Sequence, residues 1–139
     1  MSMSIESLEN QKKLFETAAV LMRAGKLDDA ITIYDYLLIQ DPAAARYWTA
    51  GGMAKMKRGR LNEALASFQV AEAADEQDPV PIMMRGLCLL RMGKEIEALI
   101  ALKRALLLSG GQRRYALIAD SIGRYLERLA KKSKAAAVR

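Results

Sequence analysis

The sequence predicts an all-α fold of three tandem antiparallel helix pairs followed by one further helix. Three observations lead there. Gly25, Gly59 and Gly93 recur 34 residues apart, and Ala30, Ala64 and Ala98 repeat the interval. A fixed period of that length marks stacked repeats, because one helix pair cannot bury its apolar face alone. Aligned on the glycines, Leu14, Trp48 and Ile82 share one position, Leu27 and Leu61 a second, Tyr34, Phe68 and Leu102 a third, and Leu37, Ala71 and Ala105 a fourth.

Residues 1–10 precede the periodic stretch and are expected to be a flexible leader, either a frayed helical lead-in or a short partner-binding segment. A single domain over residues 11–132 follows, with repeats at about 11–44, 45–78 and 79–111. The first helix of each pair is called A and the second B. In repeat one, A spans about Gln11 to Ala24 and B about Leu27 to Gln40, and Asp41-Pro42 closes the repeat because proline cannot continue a helix. In repeat two, A spans about Ala45 to Arg58, and B starts near Leu61 and fades by Asp75. Asp78 then suits an N-cap and Pro79 a first helical position. Helix A of repeat three ends before Gly93, and B spans about Glu95 to Ser109 and stops at Gly110-Gly111.

Beyond the glycines, Leu117, Ile118, Ile122, Tyr125, Leu126 and Leu129 fall at helical spacing. This predicts a capping helix over about residues 113–132, since an amphipathic helix closes the open apolar end of a repeat stack. Residues 133–139 have little to bury and are expected to be a disordered basic tail. Ala18, Gly52 and Gly86 on the A helices, facing Ala30, Ala64 and Ala98 on the B helices, allow close crossing. A larger side chain there overpacks.

Composition narrows the function classes. There is no histidine and Cys88 is the one cysteine, so an internal disulfide, the usual zinc sets and histidine-based catalysis are excluded. No catalytic residue, metal ligand or cofactor is expected, and the chain reads as a non-enzyme. Asp28, Asp29, Glu95 and Glu97 start B helices, where carboxylates complement the helix dipole, so they do not form catalytic pairs. Residues 1–10 lack the basic start and apolar run of a secretory signal, and no apolar stretch suggests a membrane span. A cytoplasmic location without membrane insertion is expected.

The net charge is +6, but of 22 basic and 16 acidic residues, eight and two respectively fall within residues 113–139. The repeats are neutral and the C-terminal segment is basic. Dispersed cations without an aromatic platform are read as a solubilising cap, so no nucleic-acid partner is expected.

The repeat pattern resembles the tetratricopeptide repeat, in which a large residue opens helix A, small residues sit at the crossing and glycine makes the turn. The resemblance implies a concave superhelical groove lined by the A helices. In that register the groove takes Phe15, Ala19 and Met22 from repeat one, Thr49, Met53 and Met56 from repeat two, and Met83, Leu87 and Leu90 from repeat three. Four of the chain's eight methionines are among these nine. Flexible, polarisable methionine adapts to several apolar side chains, which suits an extended peptide, although methionine equally serves as core filler. Arg23, Lys57 and Arg91 recur beside them. They read either as a basic rail for peptide carbonyls and acidic side chains or as cations at helix C-termini. Trp48 is read as core and Cys88 as a buried, inert thiol.

From Leu14 to Leu108 the chain further resembles the class II translocator chaperones of bacterial type III secretion, the SycD/LcrH/IpgC group. The likeness rests on three repeats without long insertions, Gly25-Lys26-Leu27-Asp28-Asp29-Ala30, the pair Tyr47-Trp48, and Asp78-Pro79-Val80-Pro81 leading to Cys88-Leu89-Leu90. It implies a cytoplasmic chaperone that holds an extended segment of a hydrophobic translocator, with a homodimer as a further expectation. By register, Phe15, Ala19 and Met22 match the family's first pocket, and Thr49, Met53, Met56, Met83 and Leu87 match the rest of the trough. Ala19 and Thr49 are smaller or more polar than the resemblance implies, and the basic charge departs from the family's acidic character.

Alternatives are a chaperone of a needle or export-apparatus subunit of the same machine, or a general adaptor. The adaptors that capture heat-shock chaperone tails need a polar carboxylate clamp. Phe15 and Ala19 occupy two of its positions.

Overall fold

The computed structural model describes residues 4–138, and every regular element among them is helical. The order is α1 (Ile5–Arg23), α2 (Leu27–Gln40), α3 (Ala45–Arg58), α4 (Leu61–Ala74), α5 (Pro79–Arg91), α6 (Glu95–Ser109), a 3-10 turn at Arg113–Tyr115, and α7 (Ala116–Val138). The A helices are α1, α3 and α5; the B helices are α2, α4 and α6. Gly25, Gly59 and Gly93 between them have φ of 79°, 90° and 79°, a left-handed turn that other residues rarely enter. The helices fall into two compact units, the first ending at Ala74 and the second starting at Asp75.

The first unit holds α1 to α4. Its core cluster joins Ala18 of α1, Ala30, Ile31, Tyr34 and Leu37 of α2, and Tyr47 and Ala54 of α3. Ala64, Phe68 and Ala71 of α4 are likewise buried. Tyr47 is fully buried and Trp48 half-buried, which corrects the reading of Trp48 as core. The phenol of Tyr47 finds a buried partner by donating to Oε1 of Gln11 at 3.2 Å. The indole N–H of Trp48 donates instead to the carbonyl of Pro42 at 2.8 Å, in an exposed position. Ion pairs of Lys55 with Asp35 and of Arg58 with Asp28 link α3 to α2.

The leader is helical where the structure describes it. Residues 5–10 form the start of α1, because the Ser4 hydroxyl caps the helix by accepting from the Ser7 amide at 3.1 Å and Glu6 sits in the first turn. Ile5 and Leu8 there are exposed, so this end is helical without being buried.

The second unit holds α5 to α7. Asp78 caps α5 by accepting from the Val80 amide at 2.9 Å, and Pro79 occupies the first helical position, where its missing N–H costs no bond. Pro81, Ile82, Cys88 and Leu89 of α5 are buried together with Ala98, Ala101, Leu102 and Ala105 of α6. α7 packs on α6 through fully buried Ile122. Leu117, placed on the apolar face from its spacing, is 81% exposed. It precedes Ile122 by five residues, which at 3.6 per turn points it elsewhere. The expected disordered tail is helical through Val138, since Ala135 to Ala137 are strong helix formers and no glycine or proline intervenes. Residues 1–3 and 139, included in the leader and tail expectations, lie outside the described residues.

Candidate functional site

The A helices present their candidate positions in one consistent way. Phe15, Ala19 and Met22 on α1, Thr49, Met53 and Met56 on α3, and Met83, Leu87 and Leu90 on α5 are all half-buried. Arg23, Lys57 and Arg91 are all exposed and lie in the last turns of those helices. Half-burial follows from helical spacing. Ala18, Gly52 and Gly86 are buried at the crossing with the paired B helix, and Ala19, Met53 and Leu87, one position along, are turned about 100° away from it.

On the first unit the positions rest on an ordered base. Phe15 meets Tyr34 edge-on at 6.0 Å and Tyr47 at 5.4 Å between ring centroids. The Tyr34 hydroxyl approaches Sδ of Met22 at 4.0 Å. Burial pushes the Tyr34 phenol above its ordinary pKa, partly offset by the charge of Arg23, so the ring stays neutral at physiological pH. Two of the four candidates on α1 therefore touch the core while keeping part of their surface open.

Two further residues belong to this face and escape the sequence reading. The Arg46 guanidinium lies 5.5 Å from the Phe15 ring centroid and 5.0 Å from that of Tyr47. Its Nη2 donates to the Tyr47 hydroxyl at 3.3 Å. Gln11 beneath is only 2% exposed and also donates to Oε1 of Gln40 at 3.3 Å. One signal for Arg46 is present in the sequence, where it follows Lys12 by 34 residues and stands one turn before Thr49.

On the second unit, Met83, Leu87 and Leu90 follow each other at three- and four-residue spacing along α5. Cys88 is fully buried between them, and burial pushes its thiol pKa up, against the pull of Arg91, so it is unreactive near neutral pH. An apolar cleft of this unit lies between α6 and α7, lined by Leu99, Lys103, Leu126 and Leu129. Among the described residues there is no cluster of three acidic, histidine or cysteine side chains that could hold a metal, and no helix is long and apolar enough to cross a membrane.

Helix pairs with left-handed glycine turns, small residues at the crossings and a half-buried apolar row on each A helix define a tetratricopeptide-type repeat protein. Its likeness to solved structures is more particular. SycD, the type III secretion translocator chaperone of Yersinia enterocolitica, solved as an alternative dimer, aligns with a TM-score of 0.86 at 22% identity over 90% of this chain and 95% of its own. PcrH from Pseudomonas aeruginosa aligns with a TM-score of 0.84 at 25% identity over 93% and 96%. PcrH in complex with the chaperone-binding region of PopD aligns with a TM-score of 0.85 at 26% identity over 95% and 97%. No family model and no curated protein matches the sequence. The chain has the tetratricopeptide-like fold of these type III secretion chaperones over nearly its whole length.

Proposed function

We propose that this protein is a bacterial cytoplasmic chaperone of type III secretion. It holds an extended apolar segment of a translocator against the A-helix positions and keeps that client soluble and competent for export. The observation that carries the reading is the 26% identical match, over 95% of this chain, to PcrH holding the chaperone-binding region of PopD.

The half-burial of the nine apolar positions supports it physically. A methionine already packed on one side loses little freedom when a client side chain covers the other, so binding costs less ordering entropy than on a loose surface. The client's apolar residues are removed from water without being folded into a compact domain. Arg23 and Lys57 in the last turns of α1 and α3, and Arg91 in that of α5, would each meet client carbonyls or carboxylates. Self-association of this chain belongs to the same reading. The protein acts by binding alone, with no catalytic step.

Co-purification from the native cytoplasm, read by mass spectrometry, tests the proposal. Phe15 also supports Tyr34 and Tyr47, so a Phe15→Ala/Met53→Glu/Met83→Glu variant is accompanied by Met53→Glu/Met83→Glu, which leaves the ring cluster intact. Both are checked for folding by circular dichroism. A hydrophobic secreted protein that accompanies the wild type and is lost from both variants is the expected result. Identical partners for all three proteins, or nucleic acid alone, would overturn the proposal.

A further inference from the structure

We infer that Arg46 forms a carboxylate-binding subsite beside Phe15, so that the segment this protein holds carries an acidic side chain two residues from the apolar residue seated at Phe15. The inference rests on the peptide-binding reading above and specifies its client chemistry.

Three features of Arg46 carry it. The guanidinium is fixed: it lies over the Phe15 and Tyr47 rings and donates to the Tyr47 hydroxyl. That hydroxyl donates to Gln11, Gln11 donates to Gln40, and Gln40 donates to the Tyr36 hydroxyl at 2.6 Å. A relay across α1, α2 and α3 thus ends on an arginine whose position is set before any ligand arrives. Arginine has five N–H donors, and this relay uses one.

The charge is also unmatched. Asp35, Asp28 and Glu63 are held by Lys55, Arg58 and Arg60, and Arg46 has no acidic partner among the described residues. It is exposed, whereas the ring below it is half-buried. A cation placed there for helix stability would be misplaced, because Arg46 is in the first turn of α3, the end where the helix dipole disfavours positive charge. Its location is therefore unfavourable for the helix alone and suited to a bound anion.

The spacing then selects the ligand. In an extended segment, residues i and i+2 face the same side about 6.6–6.8 Å apart, comparable with the 5.5 Å between the Phe15 ring and the guanidinium. An apolar side chain on Phe15 sets a Glu or Asp two positions away within reach of the open N–H donors, where carboxylate and guanidinium can pair through two parallel bonds.

The test uses the full chain and a paired library of 12-residue peptides. Each has a central Leu or Met with varied apolar flanks, and pair members differ only in Glu against Gln two positions before or after the centre. Wild type is expected to prefer the Glu members at one of these positions by about threefold to tenfold, less at high salt. Arg46→Gln, folded by circular dichroism, should bind both members at the wild-type Gln level, Arg46→Lys should keep part of the preference, and Arg46→Glu should favour Lys at the same position. Equal binding of both members by wild type, or an unchanged preference in Arg46→Gln, overturns the subsite while leaving peptide binding intact. Binding of no peptide by wild type overturns the peptide-binding reading and the subsite with it.

Discussion

Gly52 and Phe68 approach so closely that a β-carbon at position 52 would lie 2.7 Å from Cε1 of the ring and 3.1 Å from Cβ of Ser67. Phe68 is fully buried, and the ring or the backbone must shift to admit that atom. Gly52→Ala is therefore expected to destabilise the protein by overpacking, which typically costs about 1–3 kcal/mol and outweighs the roughly 0.5–1 kcal/mol that alanine gains over glycine in a helix. Gly123 on α7 has open space around it, so Gly123→Ala should stabilise by about 0.5–1 kcal/mol. Urea unfolding of both variants checks this pair; a shift in the same direction for both would refute the packing argument.

Tyr47→Phe should cost more than the loss of one surface hydroxyl. It removes the buried bond that the Tyr47 hydroxyl donates to Oε1 of Gln11 at 3.2 Å, and losing such a bond costs about 0.5–1.5 kcal/mol. The unfolding midpoint reads the effect, and the double variant with Gln11→Leu should recover part of it.

Stability should fall at alkaline pH. Tyr34 and Cys88 have pKa values raised by burial from the ordinary 10.0 and 9.0. The unfolded chain therefore releases these protons first. Their contribution is fully present below about pH 9 and is lost as pH rises through the raised values. Urea midpoints measured from pH 7 to 11 should decline above pH 9, and the decline should shrink in Tyr34→Phe and in Cys88→Ala. Alkylation of Cys88 near neutral pH should be slow in the folded protein and fast in urea.

The attachment of α7 should depend on packing rather than on its charges. Ile122 is fully buried, and Ile122→Ala is expected to cost about 2–5 kcal/mol. Lys132 pairs with Glu95 of α6, but both side chains are at least half exposed, so Lys132→Ala should cost no more than about 1 kcal/mol and nothing measurable at high salt. Equal effects of the two substitutions would contradict this ranking.

The helices were legible because their ends are written locally. Glycine turns, Asp41-Pro42 and Asp78-Pro79 place α2, α3, α5 and α6 without reference to the rest of the chain. Choices that depend on a distant partner were not legible in the same way. Tyr47 and Trp48 are neighbours of similar character, and the one that turns inward is the one whose hydroxyl reaches Gln11, 36 residues earlier. The same holds for Arg46, an ordinary surface cation in sequence until Phe15 and Tyr47 are placed beneath it. The start of α1 and the end of α7 reach past their expected bounds for another reason. A cap at Ser4 or an alanine run after Lys134 sustains a helix with nothing to bury, and burial was the signal being read.

Trp48 is the only tryptophan in the chain, half-buried, with its indole N–H on the Pro42 carbonyl. It stands between Tyr47 and Thr49, so the molecule carries a built-in optical reporter confined to its first unit. Emission excited at the indole edge will register a segment arriving beside Trp48 on α3. A titration followed by that light alone would thus report engagement of the first unit, without any label.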